Sequence, residues 1–263
     1  MNMSIEEILQ NTLQIARSTF KGKFHNISYY DHDILPLSKE ERDLYTEEGM
    51  KARDYWFNKL HEEAFENKIT CKKIYNYLNK NRNHLLVGNC MMLSIFALYH
   101  LKKKYKNSLQ ILFYNPISDY TRFTSLLTLR IICIQKPYNH AFVMVCPPNN
   151  TEKAHSIGMT SAPNLFPVNA WICDPWSQIA CPAINYNENW KIKMAEWNFK
   201  GKTVLLEKDD LNKHSHFNFS PLGKFNYTTI QIGRQMTTDI ITIYPNGDTT
   251  VQGIPSSGRC TLL

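Results

Sequence analysis

The seven cysteines of this 263-residue chain are scattered, and no two of them form a CxxC pair. No His/Cys spacing typical of a zinc site occurs either, and His214 and His216 are at most half of a metal site. The odd cysteine count, and the lack of an apolar signal segment after Met1, argue against a secreted disulfide-bonded protein. We therefore expect no metal or cofactor, and we expect five cysteines to be small buried hydrophobic side chains. These are Cys71, Cys133, Cys146, Cys173 and Cys181.

The sequence also lacks an apolar run of the ~18–20 residues that a membrane-spanning helix needs. It has no arginine-rich stretch interleaved with aromatic residues, so we expect no nucleic-acid partner. Hydrophobic residues make up 43% and charged residues 20% of the chain, which is typical of a folded globular protein. The net charge of +7 does not identify a partner by itself. The densest basic run, residues 102–106 (KKKYK), is interpreted as a solvated helix end, with a phosphate or lipid patch as the alternative.

Residues 1–84 are predicted to form a helical region that packs on the rest of the chain. Ser4 precedes two glutamates and then apolar residues near helical spacing, including Leu9, Leu13 and Ile15, which indicates a helix start. Ser38 with Glu41 three residues later indicates a second start. Residues 45–65 are then charged, aromatic and amphipathic.

Residues 85–254 are predicted to be the core domain, followed by a flexible tail at 255–263. Nearly every residue of 90–101 is apolar, which indicates a buried helix, and Asn89 is a good N-cap for it. Strands are predicted at 109–114, 126–134, 141–146 and 168–173, and a long loop at 147–167. The turn residues at 245–248 (PNGD) predict a hairpin between 239–244 and 249–252. This order of elements predicts an α+β fold with a mostly antiparallel sheet.

Three short strings within the core offer the side chains of a thiol hydrolase. GNC at 88–90 begins the predicted buried helix with Cys90, NHAF at 139–142 begins a strand with His140, and WICDPW at 171–176 ends a strand with Asp174. A thiolate is a strong nucleophile, and both a helix N-terminus and a histidine cation favour the thiolate form. A carboxylate can then hold the imidazole in the correct orientation.

Each of these residues also has an ordinary structural interpretation. A cysteine in a buried helix usually packs, a histidine before an apolar strand usually caps, and Asp-Pro usually makes a turn. The order and context of the three together favour catalysis. Trp171 and Trp176 flank Asp174, so we expect bulky aromatic rings to shield the His–Asp pair from water.

The strings GNC, HAF and CDPW resemble the papain-like (clan CA) cysteine peptidases. The nearer likeness is to bacterial effector enzymes, which include host-directed peptidases and glutamine deamidases. The resemblance covers about residues 85–176 and implies a papain-like fold with a buried helix that begins at the nucleophile. It assigns the nucleophile to Cys90, the base to His140 and the orienting carboxylate to Asp174.

The family usually carries a Gln or Asn shortly before the cysteine to complete the oxyanion hole. No Gln occurs there, and Asn81, Asn83 and Asn89 remain candidates. The resemblance implies a cysteine peptidase or amidase that acts on a host protein. The alternatives are a glutamine deamidase of a host protein and a catalytically silent binding protein recruited to membranes.

The last four residues, CTLL from Cys260, resemble a CaaX prenylation box. They imply that a host prenyltransferase modifies Cys260 and that the prenyl chain brings the protein to a membrane surface. Together with the effector resemblance, this predicts delivery into a host cell by a specialised secretion system. The protein would then lie in the host cytosol and at host membranes.

Overall fold

The fold is taken from a computed structural model of the chain. It describes residues 3–30, 37–63, 70–114, 126–134, 140–148, 158–160, 166, 169–207, 216–222 and 235–253. The α-helices within this part are α1 (Ile5–Thr19), α2 (Lys39–Asp43), α3 (Glu47–His61), α4 (Cys71–Lys80), α5 (Cys90–His100), α6 (Lys106–Tyr114) and α7 (Tyr186–Phe199). A π-helical turn, Leu101–Tyr105, joins α5 to α6, and a 3-10 turn, Ala183–Asn185, precedes α7.

The strands form two antiparallel sheets. They are β1 (Ile27–Tyr29), β2 (Leu127–Ile134), β3 (His140–Cys146), β4 (Gly158–Thr160), β5 (Trp171–Asp174), β6 (Ile179–Pro182), β7 (Lys202–Glu207), β8 (His216–Phe219), β9 (Gln235–Ile243) and β10 (Thr249–Gly253). The larger sheet has the order β10-β9-β2-β3-β5-β6, with β4 paired to β9, and the smaller has the order β1-β7-β8. The predicted α+β class with a mostly antiparallel sheet is confirmed.

Helix α5 lies at the centre of the hydrophobic core. Its residues 90–99 are all buried, and it packs against α1, α4, β2 and β3. The predicted caps are confirmed: Ser4 forms a capping box with Glu7, and the Asn89 side chain accepts a hydrogen bond from the Met92 N–H. The predicted helix is present as α1, with Leu9 and Leu13 on its buried face and Ile15 45% exposed.

The strand predicted at 109–114 is wrong, because these residues form α6. The helix that begins at Cys90 continues through the π-helical turn instead of ending in the lysine run. Leu109 and Tyr114 then face the core, while Ile111 is 40% exposed. The Tyr114 hydroxyl donates to the Ile243 carbonyl and accepts from the Leu127 N–H, each at 2.9 Å, which joins α6 to the sheet.

Other predicted elements differ locally from the observed ones. The region 1–84 includes a strand, β1, as well as helices, and the predicted loop 147–167 contains β4. Strand β5 begins at Trp171, and residues 167–168 lie outside the described part. The hairpin at PNGD is confirmed between β9 and β10, with Gly247 at a φ of +84°.

Candidate functional site

The segment that follows α1 is hydrogen-bonded to the backbone just before α5. The Gly88 N–H donates to the Lys23 carbonyl at 3.3 Å, and the His25 N–H donates to the Gly88 carbonyl at 3.0 Å. The Phe20 ring lies directly against Gly88, and a Cβ at this position would stand 2.4 Å from the ring carbon Cε1. Gly88 therefore permits the close approach that fixes the backbone next to Cys90.

The sheet brings His140 and Asp174 to the same edge. His140 is the first residue of β3 and Asp174 is the last residue of β5, and these two strands pair antiparallel. The start of one strand therefore lies beside the end of the other. The imidazole Nε2 of His140 lies 2.8 Å from Oδ2 of Asp174, and the two side chains are 2% and 0% exposed.

The Asp174 carboxylate accepts further hydrogen bonds from its own turn and from α7. Oδ1 accepts from the Trp176 N–H at 3.1 Å and from the Ser177 N–H at 3.2 Å. Oδ2 accepts from the Ser177 hydroxyl at 2.5 Å and from the Tyr186 hydroxyl at 2.8 Å. Burial raises the pKa of Asp174, but the His140 charge and the side-chain hydrogen bonds from His140, Ser177 and Tyr186 outweigh burial and lower the pKa overall. The carboxylate is therefore ionised at neutral pH.

His140 is held as a cation between two partners. Burial lowers its pKa, but the charge and hydrogen bond of Asp174, together with a hydrogen bond and charge interaction with Cys90, raise the pKa to about 10. Since Nε2 contacts Asp174, Nδ1 is the ring nitrogen that remains for Cys90. The arrangement thus joins the thiol at the start of α5, the imidazole and the carboxylate in one chain of contacts.

Aromatic rings surround the imidazole, as predicted, but one of them comes from a different element. The ring centroid of Trp176 lies 5.1 Å and that of Trp190 4.9 Å from the centroid of His140. Phe142 lies at 6.0 Å. Trp176 was predicted from the sequence. The second indole beside His140 is that of Trp190 on α7, while Trp171 is partly buried at the start of β5.

Two side chains from the N-terminal region hold the turn that follows Asp174, and the sequence did not reveal either. Nη1 of Arg17 donates to the Pro175 carbonyl at 2.8 Å and to the Trp176 carbonyl at 3.1 Å. Its guanidinium also lies 4.8 Å from the Phe24 ring centroid. Oδ1 of Asn26 accepts from the Trp176 indole N–H at 3.0 Å. We refer to Arg17 and Asn26 as the N-terminal brace.

The oxyanion-hole candidates differ in their positions. Nδ2 of Asn81 donates to the Tyr77 carbonyl of its own helix at 2.9 Å, and Asn83 is exposed in the turn after α4. Asn89 adjoins Cys90, but its Oδ1 caps the helix. The backbone N–H groups at the start of α5 point along the helix axis beside Cys90, and such groups can bind a developing oxyanion.

The five other cysteines of the described part are buried, as predicted. Cys173 lies next to Asp174 in sequence, but its thiol is directed to the Leu9 carbonyl at 3.8 Å, and burial raises its pKa. Burial also raises the pKa of Cys181, to about 11. These two thiols remain protonated at neutral pH.

Cys260 lies outside the described residues, so its prenylation stays a prediction. His214 also lies outside them. Within the described ranges, no group of three or more His, Cys, Asp and Glu side chains is arranged to hold a metal ion. The described helices include none that is long and apolar enough to cross a membrane.

No protein-family model and no curated protein sequence matches this chain.

Proposed function

We propose that the chain is a thiol hydrolase of the papain-like type in which Cys90 attacks a carbonyl carbon of a protein amide. One observation carries the proposal. The His140 imidazole is hydrogen-bonded through Nε2 to a buried, ionised carboxylate while its other side contacts the thiol at the start of a helix. A histidine that only packed or capped would not need a buried carboxylate with five hydrogen-bond donors around it.

The geometry supports a two-step mechanism through a thioester. The Cys90 thiolate attacks the carbonyl carbon, and the oxyanion is stabilised by N–H groups at the start of α5. The His140 cation then donates its proton to the leaving nitrogen, the C–N bond breaks, and a thioester remains. Neutral His140 next takes a proton from water, hydroxide attacks the thioester, and the thiolate is regenerated as the acid leaves. Asp174 stays ionised throughout and orients the imidazole.

The same steps serve a peptidase and a glutamine deamidase, because they differ only in the amine that leaves. A peptidase releases a new N-terminus, whereas a deamidase releases ammonia from a glutamine side chain. We propose a host protein as the substrate, in keeping with the effector resemblance of the three motifs.

Mass spectrometry of a eukaryotic cell lysate incubated with the protein tests the proposal. We expect either new peptide termini or glutamines converted to glutamates, in both cases time-dependent. A Cys90→Ser variant is the matched control and should produce neither change. If wild type and Cys90→Ser give the same products, or none, the hydrolase proposal is wrong and a catalytically silent binding protein is favoured.

A further inference from the structure

Positive charge is strongly segregated along this chain. Residues 67–151 contain twelve Lys and Arg but a single acid, Asp119, and therefore carry a formal charge of +11. Because the whole chain carries +7, the remainder carries −4. Such an asymmetry within one protein indicates a surface for an anionic partner rather than general solubility.

The fold gathers six of these lysines from two segments that are distant in sequence. Helix α4 packs on α5, and the π-helical turn and α6 continue from α5. No Asp or Glu occurs anywhere in residues 70–114. We call the following set the lysine face: Lys72, Lys73, Lys102, Lys103, Lys104 and Lys106.

The lysines of this face act on one another across the two helices. Burial, then the charges of Lys72 on α4 and of Lys106, lower the pKa of Lys102. Burial, then the charges of Lys104 and Lys103, likewise lower the pKa of His100. The ammonium groups of Lys72, Lys102 and Lys106 are therefore close enough to repel one another.

Nothing in the described part of the chain neutralises this charge. None of the six lysines forms an ion pair with a described carboxylate. The Lys106 ammonium donates to the Gly247 carbonyl at 2.9 Å, which fixes its position and leaves its charge uncompensated. Lys72, Lys73, Lys103 and Lys104 are exposed.

We infer that the lysine face is a docking surface for the anionic leaflet of a membrane. Clusters of four to eight basic residues on a helical surface bind anionic lipids, at about 1 kcal/mol per residue near the surface. Lysine is a point charge and lacks the bidentate geometry with which arginine reads base edges, so it suits the diffuse charge of a lipid surface better than base readout. Ile111, which is 40% exposed, lies two turns after Lys104 on the same helical run and adds an apolar contact at the face.

This inference does not depend on the hydrolase proposal, because none of the six lysines belongs to the Cys90 site. A catalytically silent protein with the same surface would dock in the same way. The prenyl group predicted on Cys260 is also unnecessary, and protein made in bacteria, which lack the transferase, suits the experiment.

Vesicle sedimentation with three proteins tests the inference. The vesicles are phosphatidylcholine alone or phosphatidylcholine with phosphatidylserine, at low and physiological ionic strength. The lysine-face variant carries Lys72→Gln, Lys103→Gln and Lys104→Gln. The matched control carries Lys21→Gln, Lys39→Gln and Lys191→Gln, which remove the same charge from exposed positions elsewhere.

We expect wild type and control to bind the phosphatidylserine vesicles in a salt-sensitive manner and to ignore phosphatidylcholine alone. The lysine-face variant should bind the phosphatidylserine vesicles at least tenfold more weakly, with its circular dichroism spectrum unchanged. The inference is overturned if wild type fails to bind, or if both variants lose binding equally. It is also overturned if wild type prefers duplex DNA to the vesicles at equal ionic strength, since the surface would then serve nucleic acid.

Discussion

Asp174 is the residue on which the candidate site is organised. Its two oxygens accept five hydrogen bonds, and three of the donors converge on Oδ2. A carboxylate is the only side-chain group of this size that can accept so many and donate none. The residue therefore fixes both the turn at 174–177 and the orientation of the His140 ring.

The first prediction concerns Asp174→Asn. The asparagine amide would place a donor where either His140 or the backbone already donates, so one contact becomes repulsive. We expect the fold to remain, with a lower melting temperature. We also expect about 10²–10⁴-fold slower turnover, because the imidazole loses its orienting charge. Unchanged turnover in a steady-state assay would mean that Asp174 is only a turn residue.

The second prediction distinguishes the effect of the Asp174 charge from that of a hydrogen bond that stabilises it. Tyr186→Phe removes one donor from Oδ2 of Asp174 but leaves His140 and Ser177 in place. We expect the free energy of unfolding to fall by about 1.5–3 kcal/mol, as for other hydrogen bonds to charged groups. Turnover should fall much less than in Asp174→Asn. Equal losses of turnover in the two variants would argue against a specific role of the carboxylate.

At the scale of elements, the site depends on two strands, one helix end and a segment far away in sequence. The N-terminal brace reaches the turn after Asp174 across 158 and 150 residues of sequence. Phe20 and Gly88 join the same segment to the start of α5. The region after α1 thus contacts both the nucleophile and the carboxylate sides of the site.

The third prediction is that Arg17 is a positioning residue. Arg17→Met keeps much of the side-chain volume but removes both hydrogen bonds to the carbonyls of 175 and 176. We expect Cys90 to be alkylated at least tenfold more slowly, with Arg17→Lys partly restoring the rate because it can donate to one carbonyl. Arg42→Met on α2 is the control and should leave the rate unchanged. A purely structural role would lower the melting temperature without this rescue pattern.

The sequence predicted those parts of the fold that local signals determine. Asn89 and Ser4 act within three residues of themselves, so their caps could be recognised. Residues 109–114 could not be assigned, because a short apolar run fits a strand as well as the buried side of a helix, and only the contacts of Tyr114 with the sheet decide. Arg17, Asn26 and Trp190 gave no local signal, since their partners at the site are brought to them by the tertiary fold.

For the whole molecule, the buried His140–Asp174 pair makes stability depend on pH. The pKa of His140 rises from 6.5 to about 10 on folding, so its contribution is full below pH 6.5 and is lost as pH rises towards 10. The pKa of Asp174 falls below its usual 3.8, so its contribution is present above that pH and is lost as pH falls further. The pair therefore favours the folded state most between pH 3.8 and pH 6.5.

The fourth prediction follows from this window. The free energy of unfolding of wild type should decline between pH 6.5 and 10, with a contribution from His140 of at most about 1.4 kcal/mol per pH unit. His140→Gln should remove that contribution and flatten the alkaline decline, while other titrating groups affect both proteins alike. Urea unfolding followed by circular dichroism at several pH values measures the difference. Parallel curves for the two proteins would show that His140 does not bind a proton on folding.

The central claim is that Cys90 is an activated nucleophile, and the exposed fractions of the cysteines allow a direct test. Cys181 is 8% exposed, Cys90 is 3% and Cys71 is 1%, so accessibility alone predicts that Cys181 reacts before Cys90. Activation by the helix end and by the His140 cation predicts the opposite order. Limited iodoacetamide labelling of the native protein at neutral pH, read cysteine by cysteine by peptide mass spectrometry, distinguishes the two. We predict that Cys90 is labelled far faster than Cys71 and Cys181, and that His140→Ala removes this preference while the fold is intact. Labelling of Cys181 before Cys90 in wild type would contradict the account.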